Sequence, residues 1–150
     1  MGVFAVVCLL ASAIILLLTT RNSGELPTIE WENTPGDVVR QYCEALRSQD
    51  IDGIIETSPA FRRDWLAQAI QDAPDWLAGF QVNSCYVGRK VKMTPEVLEQ
   101  LNRQAQDEFG ADMNTKYGYV VIMEDVSHAW NNSPRTGVQV VEIDGVWYVF

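Results

Sequence analysis

The sequence is poor in the side chains from which metal and nucleic-acid sites are built. Of 150 residues one is His and three are Cys, too few to make a zinc site. Lys and Arg number 11 against 20 Asp and Glu, a net charge of -9. Averaged over its surface, so acidic a chain repels phosphate backbones and anionic headgroups, which excludes a nucleic-acid binder. Asp50 and Asp52 lack the spacing and the glutamate of a calcium loop, so they read as a helix-joining turn. No internal repeat is present, and neither a metal nor a cofactor is expected.

Charge is missing altogether from residues 1–20, whose core reads VFAVVCLLASAIILLL. At 1.5 Å per residue, roughly 19 helical residues span about 28 Å, close to the ~30 Å hydrocarbon core. The run is therefore expected to be a transmembrane anchor. A cleaved signal peptide fits less well, because no Lys or Arg precedes the run and cleavage after the Ala-x-Ala at 11–13 leaves residues 14–18 as an apolar N-terminus. Arg21, the nearest flanking cation, favours a cytoplasmic domain. A short anchor ahead of an acidic domain is the plan of an exported module, and the extracytoplasmic side is expected. Residues 21–33 (RNSGELPTIEWEN) are polar and aperiodic, a tether.

From Thr34 the pattern is regular. Thr34, Pro35 and Asp37 supply an N-cap, a first-turn proline and an acid facing the helix dipole. Val38, Val39, Tyr42, Cys43 and Leu46 then form one apolar stripe. Ile51, Ile54 and Ile55 make a short turn, and Ser58-Pro59 opens a helix whose buried side is Phe61, Trp65, Leu66, Ala69 and Ile70, closed by Pro74. Residues 80–93 alternate as a strand, with Phe80, Val82, Ser84 and Tyr86 on one side and Gln81, Asn83, Cys85 and Val87 on the other. Thr94-Pro95 repeats the cap, Val97, Leu98, Leu101, Ala105 and Phe109 form the next stripe, and Gly110 ends it. Residues 117–126 and 136–143 read as strands, the second joined to 146–150 by the type I′ pair Asp144-Gly145.

Helices followed by a sheet that closes on a hairpin make an α+β plan. The stretches TPGDVVRQYCEALRSQDIDGIIETSP and VQVVEIDGVWYVF resemble the NTF2-like (cystatin-like cone) superfamily, in particular small membrane-tethered extracytoplasmic proteins of Gram-positive bacteria. The resemblance spans residues 34–150 and matches best at its two ends. It implies helices packed on a curved antiparallel sheet. The fold class expected is thus α+β, an N-terminal transmembrane helix (1–20), a tether (21–33) and an NTF2-like domain (34–150). The helix at 95–109 is an elaboration that many members lack.

Some members of that superfamily are isomerases or dehydratases with an Asp or His inside the cone. Asp125 and His128 are the residues here that fit such a role, with Tyr86, Tyr117, Tyr119 and Tyr148 as possible donors. Acids at a strand end running into a polar loop are ordinarily solvated, so no catalytic residue is assigned. Trp76 and Trp130 lie in loop-like segments, and with Tyr117, Tyr119 and Met123 they are the candidate binding residues; Trp65 and Trp147 read as core. Cys43 and Cys85 can pair if the domain is exported, or remain two buried thiols. In the strand at 117–126, Val120, Ile122 and Val126 are expected on the helices. The opposite set, Tyr117, Tyr119, Val121 and Met123, then needs a homodimer, a protein partner or the helix at 95–109 to cover it. The expected function is a membrane-anchored, non-enzymatic binding or interaction module of the cell envelope, for a protein partner or a small apolar ligand. An isomerase or dehydratase, or an accessory subunit of a membrane assembly, is the alternative.

Overall fold

A computed structural model describes residues 33–129 and 133–150. The chain divides into units Met1–Glu30 and Trp31–Phe150, and the described residues belong to the second. Their elements run α1 (Pro35–Ser48), α2 (Ile51–Glu56), α3 (Ala60–Asp72), α4 (Pro74–Ala78), β1 (Phe80–Lys92), α5 (Pro95–Phe109), β2 (Gly118–His128), β3 (Arg135–Ile143) and β4 (Val146–Val149). All four strands pair antiparallel in the order β1-β2-β3-β4.

The fold class is α+β, and the expectation of a transmembrane helix is corrected. No helix among the described residues is long and apolar enough to cross a membrane. The longest of them, α5, has 15 residues and one apolar stripe, whereas a span needs about 20 apolar residues. Residues 1–20 and all of the tether but Asn33 lie outside the described residues.

Local chemistry sets the helix ends. The Thr34 hydroxyl accepts from the Asp37 N–H at 3.3 Å and donates to the Asp37 carboxylate at 2.5 Å, while Arg40 donates to the same carboxylate at 2.8 Å. Burial pushes the Asp37 carboxyl up, but the hydrogen bonds from Thr34 and Arg40 and the Arg40 charge outweigh it and hold the group below its ordinary value. Asp50 caps α2 through the Gly53 N–H at 3.1 Å. Gly110 ends α5 at φ 65°, and Asp144 (52°) and Gly145 (81°) form the left-handed pair that turns β3 into β4.

The sheet is buried on both sides. On one, Val39 and Cys43 of α1 and Ile54 of α2 meet Val121, Met123, Val126 and Val140, all with no accessible surface. On the other, Leu98, Leu101 and Ala105 of α5 pack with Met93, Met113 and Val141, and Val120 joins them. Asn102 holds α5 there, its side-chain amide accepting from the Thr115 N–H (2.9 Å) and donating to the Thr115 carbonyl (3.1 Å). The faces are therefore the reverse of the expected ones. Tyr119, Val121 and Met123 lie on the α1 side, and α5 covers Val120. Val126 shares the α1 side because Asp125, at φ 57°, interrupts the alternation opposite a register shift between Val82 and Tyr86. The same shift turns Cys85 and Val87 inward with Val82 and leaves Tyr86 65% exposed, where simple alternation had paired Tyr86 with Val82.

Cys43 and Cys85 form a disulfide with Cα atoms 5.6 Å apart, joining α1 to β1. Replacing both by Ala is expected to lower stability by about 4 kcal/mol, the chain-entropy value for closing a loop of this length; urea denaturation of oxidised wild type against the variant measures it. At Gly118 an added Cβ meets Leu98 Cδ2 and Met93 Sδ at 2.8 Å and the Val140 carbonyl oxygen at 3.1 Å. Gly118→Ala is therefore expected to push α5 off the sheet and cost about 1–3 kcal/mol, with hydrogen exchange rising in α5 before α1.

Candidate functional site

The helix α3 carries apolar side chains on several sides, yet Ile70 alone in it is buried and Trp65 is 50% exposed. It packs against α2 and α4 and leaves a groove on each flank. The larger, of about 610 Å³, is lined by Ile51, Ile55, Ala67, Ile70 and Leu77 with Asp52, Asp64 and three further residues at its margin. The other, of about 310 Å³, is lined by Arg62, Trp65, Leu66, Ala69, Ile70, Ala73 and Trp76. A third depression, between α1 and α2, is polar, and the Arg47–Glu44 ion pair and the Ser48 hydroxyl bonded to the Glu44 carbonyl already satisfy much of its wall. The 310 Å³ groove differs in kind: it is apolar along its length and has one cation.

That cation is held by rings. The Arg62 guanidinium carbon lies 5.2 Å from the Trp65 ring centroid and 5.1 Å from that of Phe150. Phe109, at the end of α5, stacks on Phe61 (5.7 Å) and Trp65 (6.0 Å) and closes the same corner. Burial lowers the Arg62 pKa, and the nearby Tyr42 phenol and Glu108 carboxylate pull it back up. Among the described residues the Arg62 guanidinium makes no hydrogen bond and no ion pair; only the backbone N–H of this residue is bonded, to the Pro59 carbonyl. A guanidinium has five donors in a planar fork. Stacked between rings it keeps its charge and its orientation while the fork remains available to a carboxylate or phosphate.

The residues singled out from the sequence occupy different surroundings. Trp76 lines the far end of this groove and packs edge-on against Phe80 at 5.0 Å. Its carbonyl lies 2.9 Å from His128 Nε2; a carbonyl only accepts, so that nitrogen carries the proton. The His128 ring also meets Phe80 at 4.6 Å, and a Cβ on Gly79 would come 2.7 Å from Nε2, so the imidazole fills a fitted position between α4 and β2. Asp125 is exposed at the irregularity of β2 and accepts from the Ser84 hydroxyl at 3.3 Å. Neither Asp125 nor His128 lines any of the three depressions. Met123 is fully buried, Tyr119 stacks on Trp147 at 5.6 Å, and Tyr117 is 52% exposed beyond the start of β2. Trp130 lies outside the described residues. Among the described residues no cluster of three His, Cys, Asp or Glu side chains is placed to hold a metal ion.

Sequence reasoning passed over Arg62. A signal was present: the residue interrupts an apolar stripe, has no acid three or four positions away, and has Trp65 at i+3. Phe150, its second ring, comes from the far end of the chain and no local pattern points to it. In comparisons with known proteins the chain matches no family model, no curated protein and no solved structure.

Burial beside this groove pushes the Tyr42 hydroxyl up to about 12, and the Arg62 charge acts against that rise. In a spectrophotometric titration the Tyr42 phenol is therefore expected to ionise about two pH units above the ordinary phenol value of 10.0, and later still in Arg62→Leu. Because the folded value lies above the unfolded one near 10, the stability Tyr42 contributes is whole below pH ~10 and is lost as the pH rises toward ~12. Tyr42→Phe removes the late phase.

Proposed function

We propose that this chain is a non-enzymatic, extracytoplasmic binding module on an NTF2-like plan, and that it takes a small apolar ligand with an anionic end in the groove along α3. The observation that carries the reading is Arg62, an acceptor-free guanidinium held between two aromatic rings at one end of an apolar channel. Ligand sites are concave and mostly apolar, with a few placed polar groups that fix orientation. At about 310 Å³ the groove suits a short alkyl or aryl acid rather than a lipid with two chains. The Cys43–Cys85 bridge supports an exported location, since disulfides persist in oxidising compartments. A four-stranded antiparallel meander with α1 packed on one face supports the NTF2-like plan. The isomerase or dehydratase alternative has less behind it, because Asp125 and His128 face other neighbours than a groove.

Decanoate, followed by tryptophan fluorescence and calorimetry, is expected to bind saturably. Arg62→Gln should weaken it at least about tenfold, the worth of a charged hydrogen-bonded pair, and leave decanol unchanged. Ala69→Trp, which fills the channel, should abolish both. Absence of saturable decanoate binding, or equal affinity in Arg62→Gln, overturns the assignment.

A further inference from the structure

The net charge conceals a segregation. Among the described residues Arg40, Arg47, Arg103 and Arg135 each pair with a carboxylate. Arg63 donates to the carbonyls of Ser58 and Glu56, and Arg62 is stacked. The remaining four cations, Arg89, Lys90, Lys92 and Lys116, are all exposed, have no side-chain ion pair or hydrogen bond among the described residues, and meet at one corner. Register places them there: Lys90 and Lys92 stand opposite Val121 and Tyr119, and the Met93 N–H donates to the Gly118 carbonyl two residues after Lys116. Every lysine of the chain is in this group. Between and beside them Val91 (41%) and Tyr117 (52%) are exposed. The acids nearest the cluster are Glu96 and Asp112, four residues along the chain from Lys92 and Lys116, Glu142 across from Tyr117, and Glu124, which lies against Gly88 and is paired with Arg135; the Glu96 carboxylate is held by Thr94 and by its own backbone N–H.

We propose that this corner docks on an anionic bilayer surface. Three of the four cations are lysines, point charges on long apolar stems that reach headgroups without needing a shaped acceptor. The exposed tyrosine and valine are the side chains that settle at the headgroup level once the charges have brought the surface close. A cluster of four cations is the size at which anionic lipid is recognised. The acidic remainder of the surface does not cancel the attraction, because at physiological ionic strength a charge is felt over only about 8 Å and the carboxylates elsewhere stand farther from a membrane that touches this corner. The segregation also gives the molecule a dipole that orients it with this corner forward. The docking is independent of the groove along α3.

The three lysines make the test residue-specific. The full chain is mixed with vesicles of phosphatidylcholine alone or of phosphatidylcholine with an equal part of phosphatidylglycerol, then acetylated with a neutral N-hydroxysuccinimide ester and read by peptide mass spectrometry. Any partitioning by the uncharged run at residues 1–20 is common to both compositions and does not touch a lysine. At ~0.1 M salt, phosphatidylglycerol should slow acetylation of Lys90, Lys92 and Lys116 at least about threefold, and ~0.5 M salt should restore the rate. In the triple variant Arg89→Glu, Lys90→Glu, Lys92→Glu the protection of Lys116 should vanish while the melting curve stays put. Equal rates on the two vesicles, protection of Lys116 that survives the triple variant, or protection by polyglutamate without protection by phosphatidylglycerol each overturn the proposal, the last in favour of an acidic protein.

Discussion

The sheet buries both of its faces, and most of the domain follows from that constraint. A four-stranded meander with one wet side alternates apolar and polar residues; here β2 and β3 are apolar on consecutive positions such as Val120-Val121 and Val140-Val141. Such strands are stable only between two layers. The first layer is α1, fixed by its cap and by the bridge from Cys43 to β1. The second is α5, inserted between β1 and β2 and tied back through Asn102 and Thr115. With both faces occupied, α3 has little of the sheet left to cover, so it rests on its neighbouring helices with its aromatic side chains half in water.

That residual position explains the chemistry of the groove. Burying a cation in an apolar setting is costly unless something answers its charge. Ring faces answer it only in part, through their quadrupoles, and the Tyr42 phenol and Glu108 carboxylate add a longer-range pull. Arg62 is thus stable enough to keep its place and incompletely satisfied in hydrogen bonding.

Element types and most ends were legible because their causes are local. Thr34, Thr94, Asp50, Gly110 and the Asp144-Gly145 pair act within four residues of themselves, and the structure has the caps and turns they imply. Which face each strand residue occupies was less legible. The β1 pattern breaks at two register shifts and the β2 pattern breaks at Asp125, and a bulge is decided by what lies across the ladder rather than by the residues that form it. Two readings of side chains failed for the same reason. Trp65 sits on the apolar side of its helix yet is half exposed, since the layer it was expected to meet is filled by α1 and α5. Arg62 depends on Phe150, and Trp76 owes its setting to Phe80 and His128, partners that only the folded chain brings near.

The two edges of the sheet are treated differently, and this bears on how the protein behaves when crowded. The β4 edge is closed from within: the Val149 N–H donates to the Thr57 carbonyl at 2.8 Å, and the Asn33 amide takes the Trp147 N–H and the Gly145 carbonyl. Among the described residues β1, 13 residues long, pairs with β2 on one side and with no strand on the other. A strand of that length with a bare ladder is a template for another chain, and regular β-aggregates grow from such templates. Its two register shifts deny an incoming strand a continuous set of partners, and Arg89, Lys90 and Lys92 place like charges against any second copy that tries. Substitutions that straighten β1 or neutralise those cations would therefore reveal themselves less in unfolding than in shelf life, as slow fibril formation by a chain that is still fully native.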